Sequence, residues 1–438
     1  MESAGAIREQ LAALHLQRLE FLDYSRSYGV HRAKIRVLPL LERISTLQHL
    51  RTTLSMDRDN NCQRWLRTLE ALPHLVSLSL RCERFVDGKV IPRVLRLCHR
   101  YRRLTLRFST EIGYIEECDT QEYKDAKAAI EEMPEMRLCE LSFCSGNGLV
   151  GENVLQPLLE RCPRVERLDL SIGTTESTFQ HFFKMLKENK LPKLRHLTAS
   201  GPYETHLQAA FSEALSHVEY GIESLTFWHK PSDPVVQSLT QHHYSSLTKL
   251  SLPFSGIPLW TLSKLMAGLP NLRSFRGCIQ RDYSPSNGVA LDMHWGCVGL
   301  RNLRLYPRTN TSGTVGDSRW KGSAAEFQFD YVFSEVSKLE SLQELIIECD
   351  MNNLYLKRHG YLAQLAGLKE LKVFDLAKVS HKSFGKQEAL WMVKNWPKLL
   401  QVYAEDIPAI FNETLLEKRP MVEVTRKRFP MWDAEEGF

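Results

Sequence analysis

The chain has 438 residues, of which 43% are hydrophobic and 25% are charged, as in ordinary globular proteins with a sizeable buried core. This composition excludes collagen-like, low-complexity and disordered classes. The 57 Lys and Arg residues exceed the 52 Asp and Glu residues by a net charge of +5, which is too mild to require nucleic acid or a membrane surface as a partner.

The N-terminal segment mixes charged residues with single leucines and has no apolar core, so it does not predict a signal peptide. Charges recur too often along the chain for a membrane-spanning helix. The 10 cysteines include no C-x-x-C pair, which predicts reduced thiols that fill apolar gaps in a cytoplasmic or nuclear protein. The glycosylation sequons at Asn310 and Asn412 are then chance matches.

One phrase, L-x-x-L-x-L, recurs along the chain after short helical segments. Its first apolar position advances from Leu16 to Leu399 in about thirteen steps of about 29 residues, which indicates about fourteen repeats. Clear copies end at Leu80, Leu170, Ala199, Leu252, Leu305, Ile347 and Val373, and weaker copies fill the gaps.

Each repeat combines a strand pattern with a helix pattern. In the third repeat, Leu78 and Leu80 alternate with polar residues, as in a half-buried strand. The segment TFQHFFKMLKEN places Phe179, Phe182, Phe183 and Leu186 on one helical face, which predicts a core stripe.

The alternation of strands and helices predicts an α/β fold. We expect a leucine-rich-repeat solenoid, a curved horseshoe with parallel strands on the concave face and helices on the convex face. The predicted array spans residues 1–405, and residues 406–438 form a C-terminal cap and tail.

The phrase LLERCPRVERLDL, which contains Cys162 and ends at Leu170, resembles the Cys-containing repeats of ribonuclease-inhibitor-like leucine-rich-repeat (LRR) proteins. It is most similar to the repeats of F-box/LRR proteins. The likeness covers essentially the full chain, although no F-box phrase precedes the first repeat, and Glu83 and Gly173 stand where the wider family has Asn or Cys.

The resemblance implies a non-enzymatic recognition module that selects substrates for a cullin-type ubiquitin ligase, with a cullin adaptor as a partner. The main alternative is a stand-alone LRR scaffold or regulatory protein without a ubiquitin role. A GTPase-activating LRR protein is a further alternative, but the acidic tail of that family is reduced here to Asp433, Glu435 and Glu436.

Two repeats carry insertions, at about residues 108–135 and 306–335. The first contains an acidic, partly helical stretch from Glu111 to Met133. The second contains a Gly-, Ser- and Thr-rich loop around Trp320, which is a candidate docking loop because functional contacts concentrate in such loops.

The strongest enzyme-like signal is GNGLVG, with Gly146, Gly148 and Gly151 in dinucleotide-binding spacing and Asp169 about twenty residues further on. The motif lies inside the repeat array, where glycines turn the chain from strand to helix. We therefore expect no nucleotide cofactor there, and a nucleotide-dependent enzyme is the last alternative.

No other motif predicts catalysis or metal binding. The side chains of the adjacent His242 and His243 diverge, so we expect a solvated helix end and no metal site. The basic C-terminal segment EKRPMVEVTRKRFP is interrupted by apolar residues and predicts a cap over the last repeat. We expect no catalytic residue, cofactor, metal, nucleic acid or membrane partner.

The polar residues beside each L-x-L are expected on the concave face, where they predict a protein-binding groove. Its basic centre comprises Arg81, Arg103, Arg107, Arg167, Trp228, Lys249, Arg276, Arg304 and Tyr306, and its acidic end comprises Glu344, Glu348, Phe374 and Tyr403. Arg, Trp and Tyr are enriched at interfaces, so we expect a protein or peptide partner with acidic or phosphorylated residues. The alternative is a charged face that only maintains solubility.

Overall fold

The computed structural model describes the chain in segments: residues 17–21, 41, 44, 46–54, 67–82, 98–108, 121–145, 152–171, 176–199, 205–280, 293–308, 324–347, 360–375, 384–403 and 407–425. It divides into two compact units, Met1–Tyr220 and Gly221–Phe438. Within the described segments, no helix is both long and apolar enough to cross a lipid bilayer.

The first unit alternates parallel strands with helices. Its described strands are β1 (Arg18–Phe21), β2 (His49–Leu54), β3 (Ser77–Cys82), β4 (Arg103–Phe108), β5 (Glu140–Ser145), β6 (Arg167–Ser171) and β7 (His196–Ala199). Each pairs in parallel with the next. The helical elements are a 3-10 turn (Cys98–Arg100), α1 (Gln121–Glu131), α2 (Glu152–Glu160), α3 (Glu176–Lys187) and α4 (Thr205–Ser216).

The second unit repeats this plan. Its strands are β8 (Ser224–Phe227), β9 (Lys249–Ile257), β10 (Ser274–Gln280), β11 (Asn302–Arg308), β12 (Glu344–Ile347), β13 (Val373–Asp375), β14 (Gln401–Tyr403) and β15 (Glu423–Thr425). All neighbours in this series pair in parallel. The helices are α5 (Asp233–His242), α6 (Leu259–Gly268), α7 (Ala324–Val336), α8 (Tyr361–Gln364), a 3-10 turn (Leu365–Gly367), α9 (Lys386–Asn395) and α10 (Ala409–Lys418).

Both units therefore have the predicted α/β leucine-rich-repeat fold, in which parallel strands alternate with helices. The strand β15 adds one strand to the repeats counted in the sequence, and it pairs with β14. In the first insertion, α1 confirms the partly helical prediction. This helix packs against α2, and the guanidinium of Arg161 donates to the Glu131 carbonyl.

The sheet register aligns equivalent residues of successive repeats. Leu78 lies opposite Leu104, and Leu80 lies opposite Leu106, so the L-x-L leucines form buried rows. Each fully buried side chain of this size contributes about 1.5–3 kcal/mol of hydrophobic free energy. Because a repeat buries its leucines only against neighbouring repeats, these rows join each repeat to the next within a unit.

The turns before the strands are joined by shared backbone carbonyls. In the first unit, the Val76 carbonyl accepts the N–H groups of Arg102 and Arg103 at 2.8 and 3.2 Å. In the second, the Thr248 carbonyl accepts those of Arg273 and Ser274 at 2.8 and 3.0 Å. These bonds pair groups at the strand ends that would otherwise remain unsatisfied.

The helices supply the other half of the core. The predicted stripe on α3 is confirmed, because Phe179, Phe182, Phe183 and Leu186 are all buried. The ring centroids of Phe183 and Phe211, which lies on α4, are 5.5 Å apart. This distance lies within the range of favourable aromatic pairs, so the contact joins two successive repeats.

Two buried cysteines fill gaps between repeats. The Cys162 sulfur lies 4.0 Å from the Met136 sulfur, and the Cys297 sulfur lies 3.6 Å from the Met266 sulfur. Burial raises the pKa of each cysteine thiol to about 12. Both thiols are therefore protonated at neutral pH, and they serve as packing groups, as the sequence predicted for them.

Candidate binding surface

We call the side of the sheet that carries the polar strand residues the open face. In the second unit, the register arranges this face in two rows across the strands. The first row comprises Lys249, Ser274, Asn302, Glu344, Val373 and Gln401, and the second comprises Ser251, Arg276, Arg304, Ile346, Asp375 and Tyr403.

Four predicted residues meet on β10, β11 and β12 and form what we call the arginine cluster: Arg276, Arg304, Tyr306 and Glu344. The guanidinium carbon of Arg276 lies 5.3 Å from the centroid of the Tyr306 ring, within cation–π range. The Nε and Nη2 atoms of Arg304 each lie 2.7 Å from Glu344 Oε1. These contacts hold both guanidinium groups in fixed orientations.

The arginine cluster is partly shielded from water. The side chains of Arg304 and Glu344 are 26% and 18% exposed, so solvent screens this ion pair less than a typical surface pair. Glu344 is therefore held in an ion pair with Arg304. The predicted change from basic to acidic residues along the open face begins at this pair, between β11 and β12.

The acidic end continues around Tyr403 on β14. Burial and the nearby carboxylates of Glu423, Asp375 and Glu344 raise the pKa of the Tyr403 hydroxyl above its usual value. The hydroxyl donates to Gln401 Oε1 at 3.2 Å. The phenol is therefore neutral at physiological pH and lies in a negative local potential.

Phe374 does not belong to this surface. It is fully buried, and its ring centroid lies 4.7 Å from that of Trp396. The register pairs Phe374 with Leu345 and Val402, which are core positions, and Asp375 takes the open-face position instead. The prediction that Phe374 lines the groove is wrong, because the L-x-L of this repeat begins three residues later than the sequence phrase suggested.

The second row is not uniformly accessible. Ile346 and Asp375 occupy open-face positions on β12 and β13, but both are almost completely buried. Lys249, on β9, is exposed, and Arg276, Tyr306 and Tyr403 are partly exposed. Among the described residues, the accessible open face of the second unit therefore has a basic, aromatic part on β9–β11 and an acidic residue, Glu423, exposed on β15.

The open face of the first unit has looser contacts. Arg103 Nε lies 3.5 Å from Glu140 Oε2, and these side chains are 60% and 30% exposed. The Ser142 hydroxyl donates to Asp169 Oδ2 at 2.9 Å. Arg167 lies in the same row as Arg103 and Glu140 and is partly buried. An exposed ion pair such as that of Arg103 and Glu140 contributes about 0–1 kcal/mol to the stability of the fold.

For the remaining predicted residues of the binding surface, the structure gives a strand position or a degree of burial, or it does not describe them. Arg81 and Arg107 lie opposite each other on β3 and β4. Trp228 directly follows β8 and is partly buried. Glu348 and the candidate docking residue Trp320 lie outside the described residues.

The histidine pair differs from its prediction. His243 is fully buried, and its Nδ1 accepts the Ile222 N–H at 3.0 Å, whereas His242 is exposed. The expected solvated helix end is therefore wrong for His243. Ile222 follows Gly221, whose φ of 70° turns the chain so that this contact forms.

The described residues bring together no three His, Cys, Asp or Glu side chains that could hold a metal ion. The glycines of GNGLVG lie outside the described segments. Asp169, the candidate ribose ligand, accepts a hydrogen bond from Ser142 on the open face.

Comparison with known proteins gives structural likenesses only. No family model and no curated protein matches the chain. The chain is similar to one in the crystal structure of the Rad7 and Elc1 complex in yeast, with 14% identity, a TM-score of 0.46 and coverage of 97% of this chain and 87% of that chain. A Bacteroides fragilis protein has 18% identity, a TM-score of 0.36 and coverage of 56% and 68%.

Proposed function

We propose that the chain is a non-enzymatic recognition module that binds a protein or peptide on its open face. The arginine cluster carries this proposal. Arg and Tyr dominate interface hot spots, and here Arg276 and Tyr306 form a preorganised, partly exposed pair on a rigid sheet. A surface that only maintains solubility has no need of such a pair.

The more specific proposal is a substrate receptor of F-box/LRR type in ubiquitin-ligase substrate selection. It is supported by the repeat phrase around Cys162 and by the repeat fold, and it includes a cullin adaptor as a second partner. We also propose a cytoplasmic or nuclear location, which the scattered cysteines without C-x-x-C spacing favour. A stand-alone LRR scaffold is the alternative.

Affinity purification from native cells tests the two proposals separately. The chain is captured with its partners, which are identified by mass spectrometry and compared with those of a Tyr306→Ala variant. We expect partners that depend on Tyr306, with the cullin adaptor among the recovered proteins. Recovery of such partners without the adaptor would favour the scaffold, and an unchanged partner set for Tyr306→Ala would contradict binding on the open face.

A charge-reversal variant tests whether the open face of the first unit also binds a partner. We expect that changing Arg103, Arg107 and Arg167 together to Glu abolishes the binding of a partner to this face and lowers the melting temperature only slightly, because the ion pair that Arg103 loses with Glu140 is exposed. A large fall in melting temperature would instead show that these residues support the fold.

A further inference from the structure

The open face over β9, β10 and β11 has the charge and spacing to select a particular partner segment. We propose that it binds an extended acidic segment in which two carboxylates are separated by one residue, and this inference rests on the proposed recognition function. Lys249 and Arg276 supply the two positive charges. The geometry of the sheet determines the spacing between them.

The register gives the separation of the two basic residues. Lys249 lies opposite Ser274, and Ser251 lies opposite Arg276, so the two basic residues are one strand and two positions apart. Neighbouring strands are about 4.8 Å apart, and two residues along a strand span about 6.6 Å, so the two Cα atoms are about 8 Å apart.

This separation matches an extended peptide with acidic residues at positions i and i+2. Those side chains project from the same side of the peptide, about 6.6 Å apart, whereas residues i and i+1 project to opposite sides. The flexible side chain of Lys249 can cover the remaining difference. An acid-x-acid pattern therefore places both carboxylates on the basic pair, whereas two adjacent acidic residues do not.

The two basic residues have different roles. Arg276 faces the Tyr306 ring, which restricts its guanidinium and favours bidentate carboxylate recognition at a defined position. Lys249 is exposed and has a mobile ammonium group that adapts to the second carboxylate. Ser274 and Asn302 continue the row of Lys249 and can hydrogen-bond to the peptide backbone.

The acidic end of the open face limits where this segment can bind. Glu344 lies two strands beyond Arg276, and its ion pair with Arg304 leaves no net positive charge there. Further along, Asp375 on β13 is buried and Glu423 on β15 is exposed. The attraction of an acidic segment is therefore confined to β9–β11, and Glu423 repels it from the far end of the open face.

Fluorescence anisotropy with the full chain tests the proposal directly. The probes are short labelled peptides with a Glu-Ser-Glu core, the same peptide with Gln in place of both Glu residues, and an isomer with adjacent Glu residues. We expect the Glu-Ser-Glu peptide to bind at least about tenfold more tightly than either control, a difference of about 1.4 kcal/mol, with affinity falling as salt increases.

A matched pair of variants assigns the binding to the open face. The change K249E/R276E should abolish peptide binding. The control K386E/K394E makes the same change in net charge on α9, at two exposed lysines, and should retain it. Thermal unfolding checks both folds, and K249A/R276Q serves if the reversal does not fold.

Several outcomes would overturn the proposal. These are equal binding of the three peptides, retained binding by K249E/R276E, or preference for a phosphorylated Ser-x-Ser peptide or an oligonucleotide over Glu-Ser-Glu. The cellular capture distinguishes this failure from failure of the proposed function. A partner that depends on Tyr306 but not on Lys249 and Arg276 would refute the acidic segment and leave the recognition function intact.

Discussion

A buried carboxylate gives the sharpest test of the packing in the second unit. The Glu335 side chain on α7 is only 3% exposed, and its Oε2 accepts a hydrogen bond from the backbone N–H of Trp295 at 2.8 Å. Lys338 donates to its Oε1, and His294 Nδ1 lies 3.2 Å from the same atom. Burial raises the pKa of Glu335, but the hydrogen bonds from Lys338, Trp295 and His294 outweigh it and hold the pKa below its usual 4.5.

We expect Glu335→Ala to lower the free energy of unfolding by about 2–3 kcal/mol. A buried N–H group that loses its acceptor costs about 1–3 kcal/mol, and the substitution removes the acceptor of the Trp295 backbone N–H. The lost ion pair with Lys338 adds at most about 1 kcal/mol, because the lysine is half exposed. Glu335→Gln keeps an acceptor and should cost about 1 kcal/mol.

The pH dependence follows from the lowered pKa of Glu335. The folded pKa is below the unfolded one, so the ionised carboxylate stabilises the fold above the unfolded pKa. This contribution is lost as the pH falls from about 4.5 through the folded pKa. Below that point the wild-type carboxyl is neutral, as the Gln amide is, so the difference between wild type and Glu335→Gln should shrink.

Urea unfolding at pH 7 and at a series of acidic pH values measures this difference. Glu340→Gln is the matched control, because Glu340 is exposed in the turn after α7 and should change stability by less than about 0.5 kcal/mol. A Glu335→Gln variant as stable as wild type at pH 7 would refute the reasoning. So would a difference that does not shrink in acid.

Three further predictions follow from the described contacts. Phe374→Ala should lower the free energy of unfolding in denaturant by about 3–5 kcal/mol, because it opens a cavity in the core. The thiols of Cys162 and Cys297 should react with a thiol reagent at pH 8 at least about a thousandfold more slowly in the folded chain than after unfolding, because a pKa of about 12 leaves little thiolate. A double-mutant cycle of Arg304→Ala and Glu344→Ala should give a coupling of about 1–2 kcal/mol.

Each of these has a control in the same chain. Leu400→Ala removes an exposed leucine and should be nearly neutral, so an equal loss for Phe374→Ala would contradict the corrected register. Cys139 is only partly buried and should label before Cys162 and Cys297. The exposed pair of Arg103 and Glu140 should couple by less than about 0.5 kcal/mol, and equal coupling in the two pairs would contradict the importance of burial.

Much of the fold could be predicted because local signals agree within each repeat. The alternation around Leu78 and Leu80 predicts a strand, the spacing of Phe179 and Phe183 predicts a helix, and recurrence of the pattern requires a parallel stack. These signals depend only on residues close in sequence. The structure confirms the burial of all four side chains.

The errors arise where distant contacts decide between local alternatives. Leu368 and Leu371 both fit the start of an L-x-x-L-x-L phrase, and only the pairing of Phe374 with Leu345 on β12 selects the second. His243 follows a polar helix end and looks solvated in sequence. Its burial results from a turn more than twenty residues earlier in the chain, which no local pattern contains.

On the open face, too, local patterns predicted which residues lie there, whereas distant contacts determine their effective charge. Alternation predicted that Arg304 lies on this face, but its ion pair with Glu344 joins residues 40 positions apart and depends on the register of β11 and β12. The number of arginines in the sequence therefore overstates the positive charge that a partner meets, because the opposite charges of a partly buried ion pair such as Arg304 and Glu344 cancel. Lys249 remains exposed beside Arg276, so among the described open-face residues of the second unit the accessible positive charge lies over β9 and β10. A partner is then selected by the spacing of its acidic residues more than by its total charge.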